Sequence, residues 1–332
     1  MSSAIRTSLF AAVFAFASSA AWAQAVYKMT LSGASPSGFW YPLGIAVDGA
    51  VKTSFPGSSI TYRTSGGGFA NMALLDQGKV ELGFALDAEV NMAVAGVKPF
   101  SKPMQGLRAI GMVADWTDMH VIVTKAFAEK YGIRSFEDIA AKKPPLRVAF
   151  NKRGNVTEHM TVKMLNAIGV DVKDIEKWGG MVVYAASDEA TDLIRDKRID
   201  SLINAGFVRS NYFMRAADAG EVVLLPVSDA TVKRVTQETG TRPSVIKGGS
   251  YAWQSQDVLS ITLGTTLVAS DKMDEKTAYD LAQALHKNFD KFKAIPPVYK
   301  ENNATPELLT RQKAIPYHKG AERYYREAGL IK

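Results

Sequence analysis

The sequence predicts an α/β fold of two lobes joined by two crossing strands. Three observations carry this. The chain of 332 residues is too long for one small domain and suits two lobes, each with its own core. Strand-like and helix-like segments alternate in two separate series, the rhythm of largely parallel sheets covered by helices. Two long β-rich runs, 107–124 and 258–269, separate the series, and each is read as a strand that passes between lobes. The expected organisation is a leader over 1–23, a first lobe over 24–118 completed by 251–332, and a second lobe over 119–250.

The leader comes first in the chain. Arg6 supplies a short positive start, 9–17 is an apolar run, and Ala21-Trp22-Ala23 has the small-x-small pattern that signal peptidase cuts after. The run is shorter than the roughly 20 apolar residues of a membrane span, so a cleaved export signal and a mature start at Gln24 are expected. The chain has no cysteine, which excludes disulfides, thiolate metal sites, a cysteine nucleophile and a lipid anchor after the leader. A soluble periplasmic monomer is the expectation. The leader carries one of the 40 basic residues and none of the 33 acidic ones, which leaves a mature net charge of +6. Such a mild excess favours anionic partners. No basic stripe interleaved with aromatics is present, so nucleic acid is not among the expected partners.

In the first series, 27–31 reads as a strand and 39–53 as a helix with Leu43, Val47, Ala50 and Val51 on one face. Segment 59–63 is an alternating strand, 69–77 a helix stopped by Gly78, and 80–86 a strand. In the second series, 146–150 is a strand, 155–168 a helix stopped by Gly169, 186–196 a helix, 199–203 a strand, 207–217 a helix and 221–225 a strand. The last elements are helices over 276–289, 306–312 and 320–328.

Open parallel sheets bind ligands beyond the carboxyl ends of their strands, where helix N-termini point. Four loops occupy such positions. The first holds Gly33, Ser37, Gly38, Phe39, Trp40 and Tyr41. Small residues let a ligand approach the backbone, the helix start can hold an anion, and at least one of the three aromatics is expected to wall the cleft. Its glycine spacing matches a phosphate loop, but Phe39-Trp40 stands where Lys-Ser/Thr is needed, which excludes a nucleoside triphosphate site. The second loop, Ser65-Gly66-Gly67-Gly68, exposes backbone donors or makes an ordinary turn. The third, from Asn151 through Lys152, Arg153 and Gly154 to Asn155 and Thr157, puts two cations beside a helix N-terminus, with Asn155 and Glu158 spaced as a capping pair. Arginine can grip a carboxylate with two parallel hydrogen bonds. The fourth, Asn204-Ala205-Gly206, adds a polar side chain and a glycine, with Arg209 following toward the cleft or solvent.

Catalytic patterns are missing from the sequence. The four histidines lack metal-ligand spacing, there is no GxSxG elbow, and the Glu158-His159 neighbours point apart on a helix. Asp87 and Glu89, two apart after the third strand, read as polar rim. No cofactor is expected.

At these loops the chain resembles the TAXI solute-binding proteins of tripartite ATP-independent periplasmic (TRAP) transporters. The family's G-x-G-G-x-Y-Y-P-x-G loop is matched by the run from Gly38 through Tyr41 and Pro42 to Gly44, and its T-G-G-S-x-x-N by the run from Ser65 to Asn71. A leucine-rich helix and an acidic strand start follow over 74–83. The ending from Pro316 through His318, Gly320, Ala321, Arg323, Tyr324 and Tyr325 to Glu327 and Gly329 matches P-x-H-x-G-A-x-R-Y-Y-x-E-x-G almost throughout. The resemblance implies a type II periplasmic-binding-protein fold that closes on its ligand, and integral membrane subunits as partners. It also implies glutamate or 2-oxoglutarate-like acids as ligands. Leu86-Asp87 replaces the family's Gln-Ser, and only Gly154 and Thr157 are kept of its G-P-P-G-S-G-T. Lys152 and Arg153 favour an acid with two carboxylates, whereas Asp87 as acceptor of an amino group favours an amino acid. The expected function is capture and delivery of a small carboxylate, with a periplasmic enzyme or a sensor partner on the same fold as the alternatives.

Overall fold

The structure, a computed structural model, describes residues 25–34, 36, 39–218, 221–294, 299 and 303–332. The expected leader, its cleavage site and Ser37 lie outside the described residues. In chain order the first elements are β1 Lys28–Ser32, α1 Trp40–Ser54, β2 Ser59–Arg63, α2 Gly68–Asp76, β3 Leu82–Leu86, α3 Asp87–Ala95 and β4 Leu107–Thr124. There follow α4 Lys125–Tyr131, α5 Asp138–Lys142, β5 Arg147–Phe150, α6 Val156–Ala167, α7 Val172–Lys177, β6 Met181–Tyr184, α8 Ser187–Arg195 and β7 Ser201–Gly206. Next come α9 Asn211–Asp218, β8 Val222–Leu224, α10 Asp229–Thr239 and β9 Arg242–Ile246. The last are β10 Val258–Ser270, α11 Glu275–Lys287, α12 Asp290–Lys293, a 3-10 turn Pro306–Thr310 and α13 Lys319–Glu327.

The strands form one mixed α/β sheet in the order β2-β1-β3-β10-β4-β7-β5-β6, with β8 beside β4 and β9 beside β10. Within each half the short strands run parallel, β1 with β2 and β3, β5 with β6 and β7. The long strands β4 and β10 are antiparallel to each other and serve both halves. β10 pairs with β9 over its first residues and with β3 over its last. β4 pairs with β7 and β8 only from Asp118 onward. Where the two strands pass between halves both are irregular: Trp116 has φ 72°, and the register slips on either side of Thr265. A left-handed residue within a strand breaks its pleat, and paired irregularities at one level give a sheet a place to bend. Gly264 lies in this passage, against the Arg242 guanidinium and the end of Met112, where any Cβ would collide.

Each half has its own apolar interior. In the first, Leu43, Val47 and Val51 of α1 pack with Leu281 and Leu285 of α11 and Tyr324 and Tyr325 of α13 over Leu31, Phe84 and Ile110. The C-terminal helices therefore complete the first half, and Tyr325 donates a 2.8 Å hydrogen bond to the Ile110 carbonyl of β4. Full burial of such side chains contributes roughly 1.5–3 kcal/mol each. In the second half, Val148 and Phe150 of β5 pack with Met160 and Met164 of α6.

Two expectations are corrected. The chain does not return to the first half at residue 251: Tyr251 is buried with Ile122, Phe213 and Val258 of the second half, and the crossing comes near Gly264. Asn204 and Gly206 are not in a loop but in β7, held there by pairing of Asn204 with His120 and Gly206 with Asp118.

Candidate functional site

Between the halves lies a cleft with a cavity volume of about 1030 Å³. Its lining draws on all four loops singled out from the sequence: Phe39 and Trp40, Gly66 through Phe69, Asn151 through Thr157, and Ala205 through Phe207 with Arg209 through Tyr212. Ala34, Leu86, Glu89, Thr117 and Asp188 complete it. Four helix N-termini meet there, those of α1 and α2 from the first half and of α6 and α9 from the second. Helix starts carry backbone N–H groups without intrahelical acceptors and a partial positive charge, so their convergence suits an anion.

The two walls differ in chemistry. On the first-half wall, Phe39 reaches across to Phe207 at 4.3 Å between ring centroids. Trp40 is fixed by its indole N–H, which donates to Thr265 Oγ1 at 3.0 Å, and by Phe84 beneath it. Gly67 takes φ 100° to open α2. Behind it, Ser65 Oγ accepts the Gly67 N–H at 3.0 Å and lies 2.6 Å from both the Gly33 carbonyl and Asn71 Oδ1. Ser65 thus builds the turn without lining the cleft. Tyr41 does not line it either; it is exposed and packs edge-on against Tyr62 at 5.2 Å.

On the second-half wall, Arg153 stacks over the Tyr184 ring at 3.6 Å, and Lys152 lies beside it. Asn155 caps α6, its Oδ1 accepting the Thr157 N–H at 2.8 Å. Asn151 donates through Nδ2 to Asn204 Oδ1 at 3.0 Å, and Asn204 donates in turn to Ser187 Oγ at 2.7 Å. Asn204 is buried and its amide is occupied by these bonds, so it positions Asn151 rather than facing the cleft. Tyr212 covers Gly206, where a Cβ would strike its hydroxyl, and donates to the Ala205 carbonyl at 2.8 Å. Arg209 lines the cleft with φ 63°, and its Nε donates to the Ser250 carbonyl at 2.9 Å.

Asp87 requires correction. As the first residue of α3 it is turned away from the cleft and is fully buried. Arg242 Nη1 pairs with its Oδ2, which also accepts the Gly264 N–H at 2.9 Å, while Arg242 Nη2 reaches Asp115 at 2.6 Å. Burial raises the Asp87 carboxyl against the opposing pull of Arg242 and Gly264. Burial likewise works against the charge of Arg242, but Asp87 and Asp115 hold it protonated. Asp87 therefore ties the first half to the crossing strands and has no place for a ligand amine. On the first-half wall the carboxylate that lines the cleft is Glu89, one half-turn on, which reads as polar rim in the sequence; Asp188 stands on the opposite wall.

A second concavity of about 660 Å³ lies on the second half, lined by residues such as Phe127, Tyr131 and Arg147, and contains none of the four loops. Among the described residues no group of three or more histidines, aspartates and glutamates could hold a metal ion, and no helix is long and apolar enough to cross a membrane.

A sheet of two halves, long crossing strands and helix starts converging on one cleft define the class: the chain has the periplasmic solute-binding-protein fold. It belongs to the NMT1-like family, whose model matches residues 31–329. Among solved structures it is similar to MatC from Rhodopseudomonas palustris with bound malate, at 13% identity and a TM-score of 0.54, covering 92% of this chain and 99% of that one. It is more distantly similar to the periplasmic aliphatic sulphonate binding protein SsuA from Escherichia coli, at 13% identity and a TM-score of 0.48, covering 92% and 89%.

Proposed function

We propose that this protein captures a small organic carboxylate between its halves and delivers it to integral membrane subunits of a TRAP-type transporter, as a TAXI subunit exported to the periplasm. The observation that carries the reading is the meeting of four helix N-termini with Lys152 and Arg153 around one cleft. Arg153 supplies the planar fork that holds a carboxylate with two bonds, while Phe39 and Trp40 exclude water from the ligand's carbon skeleton. The cavity volume of about 1030 Å³ is larger than a four- to six-carbon acid fills. Closure about Trp116 and Gly264 would then bring both walls onto the ligand, and only interactions made in the closed form alone favour it. A micromolar affinity of about −8.2 kcal/mol is within reach of a few charge-assisted bonds. The motifs over 38–44, 65–71 and 316–329 support the TAXI assignment. Of the ligand classes the resemblance leaves open, a diacid is favoured by the two cations Lys152 and Arg153 on the cleft, and Asp87, the acceptor expected for an amino group, is occupied by Arg242. Nothing among the described cleft residues pairs a nucleophile with a base, which speaks for binding rather than turnover.

The test is a thermal-shift screen of the purified protein against mono- and dicarboxylates, amino acids and sulfonates, with native mass spectrometry for retained acid. The proposal expects a dicarboxylate to raise Tm. A stable protein that answers to no carboxylate, with none retained, would sink it.

A further inference from the structure

Two carboxylates two residues apart on α3 have opposite surroundings. Asp87 has Arg242. Glu89 lines the cleft with only 5% of its surface exposed, and no cation among the described residues pairs with it. As the third residue of α3 it turns back to the helix start, and its Oε2 accepts the Leu86 N–H at 2.8 Å. It also lies against Gly68, the first residue of α2, where any Cβ would collide with the carboxylate. The N-terminus of α2, the natural seat for an anion on this wall, is thus directly beside a buried carboxyl group. Two carboxylates in such contact do not both stay ionised; one takes a proton and shares it with the other. Resting on the carboxylate reading above, we infer that Glu89 is protonated in the liganded protein and donates its O–H as a hydrogen bond to the ligand's carboxylate, so that each anion is captured together with one proton.

The surroundings of Glu89 agree. Burial raises its carboxyl to about 7, opposed only by the Leu86 N–H, and no charged side chain contributes. On its own helix, Asp87 faces Arg242 and Asp115 of the crossing region. Neither α2 nor the turn before it presents an ionisable side chain toward it. From α6 and α10, which pack on α3, His159, Lys163 and Glu238 line a separate groove past Ala88 and Met92. Across the cleft stand Lys152, Arg153, Asp188 and Arg209, whose cations are the ligand's other partners. The proton comes from solvent, and no bond is made or broken apart from its transfer to Glu89.

The experiment is calorimetric titration with 2-oxoglutarate, succinate and glutamate at pH 6, 7 and 8, each in two buffers of different ionisation enthalpy. The carboxyls of 2-oxoglutarate and glutamate are essentially ionised above about pH 6, whereas the second carboxyl of succinate, with a pKa of about 5.6, still holds some proton there, so the succinate proton balance is read at pH 7 and 8. A diacid is expected to bind about tenfold more weakly at pH 8 than at pH 6, with uptake of about half a proton per ligand at pH 7. Glu89→Gln, which keeps a donor but cannot titrate, is expected to lose both the pH dependence and the proton uptake. Binding by the wild-type protein that is flat with pH and takes up no proton overturns the inference and leaves the carboxylate reading standing. Tighter binding of glutamate as pH rises, with proton release, also overturns it, because Glu89 is then ionised against an ammonium. A protein that binds no acid at any pH loses the underlying reading, and the inference with it.

Discussion

The two walls of the cleft solve one problem with opposite materials. The second-half wall is mainly basic: Lys152 and Arg153 stand before the start of α6, with Arg153 braced on Tyr184, and Arg209 stands before α9, against the single carboxylate Asp188. The first-half wall offers rings, glycine backbone and one carboxyl, Phe39, Trp40, Gly67, Gly68 and Glu89. A basic wall alone would attract any anion and discriminate little. An apolar wall with a single titrating donor selects for shape and for an acceptor oxygen, and contributes fully only once water has left. In the proposed capture, charge and selectivity reside mainly on different halves, and closure is what combines them.

The largest expected effect comes from the seam behind the first wall. Arg242→Ala would leave Asp87 buried without its partner, and breaking a buried pair from one side costs about 3–5 kcal/mol. Chemical denaturation should therefore show a lower midpoint at neutral pH with an unchanged slope. An unchanged midpoint would mean that the seam does not hold the first wall to the crossing strands.

Next is the titration of Glu89 in the empty protein. Its carboxyl, raised by burial to about 7, lies above the ordinary value of 4.5. For an acid raised in this way the folded state holds the proton that the unfolded state has released. Stability is therefore lost as pH climbs from about 4.5 to about 7 and is level above. Glu89→Gln removes that loss and should gain up to about 3 kcal/mol relative to wild type at pH 8, with little gain at pH 4. Denaturant titrations at the two pH values check this.

A smaller effect is expected at the basic wall. Arg153→Ala removes charge-assisted bonds worth about 1.5–3 kcal/mol, a loss of roughly tenfold to 100-fold in carboxylate affinity, with Tm nearly unchanged because the side chain is exposed. Calorimetry on the variant reads both. The smallest is Phe39→Ala, which loses the ring contact to Phe207 across the cleft, about 0.5–1.5 kcal/mol. It should raise the ligand off-rate in stopped-flow fluorescence and leave the salt dependence of binding unchanged.

Much of this arrangement was legible in the sequence, for a definable reason. Strand ends and helix starts are marked locally, by Gly67, by Asn155 two residues before Thr157, and by glycines after helices. Ligand loops in such sheets lie at those ends, so local signals located the cleft. The alternation in 59–63 and the apolar face of α1 likewise depend only on neighbours. What escaped depends on distant partners. Asp87 and Glu89 carry the same chemistry two residues apart, and only the pitch of α3 together with Arg242, 155 residues on, separates a seam from a cleft wall. Asn204 looked like a ligand contact because its bonds to Asn151 and Ser187 are formed by chain segments brought together in folding. β6 is just four residues after Gly179-Gly180, too short a run to stand out, although its Tyr184 is the platform for Arg153. The crossing near Gly264 is hidden because β10 is uncharged, rich in β-branched residues and buried along nearly its whole length, and so reads as one uninterrupted strand.

Capture by this cleft turns on whether it requires negative charge on its ligand. Calorimetric titration at pH 6 of four- to six-carbon dicarboxylates beside their neutral diamides addresses this, with a Lys152→Ala/Arg153→Ala protein alongside. One-to-one binding of a diacid, loss of binding by its diamide and strong weakening in the double variant are predicted. Equal binding of acid and amide, or an acid affinity untouched by removing both cations, would contradict it.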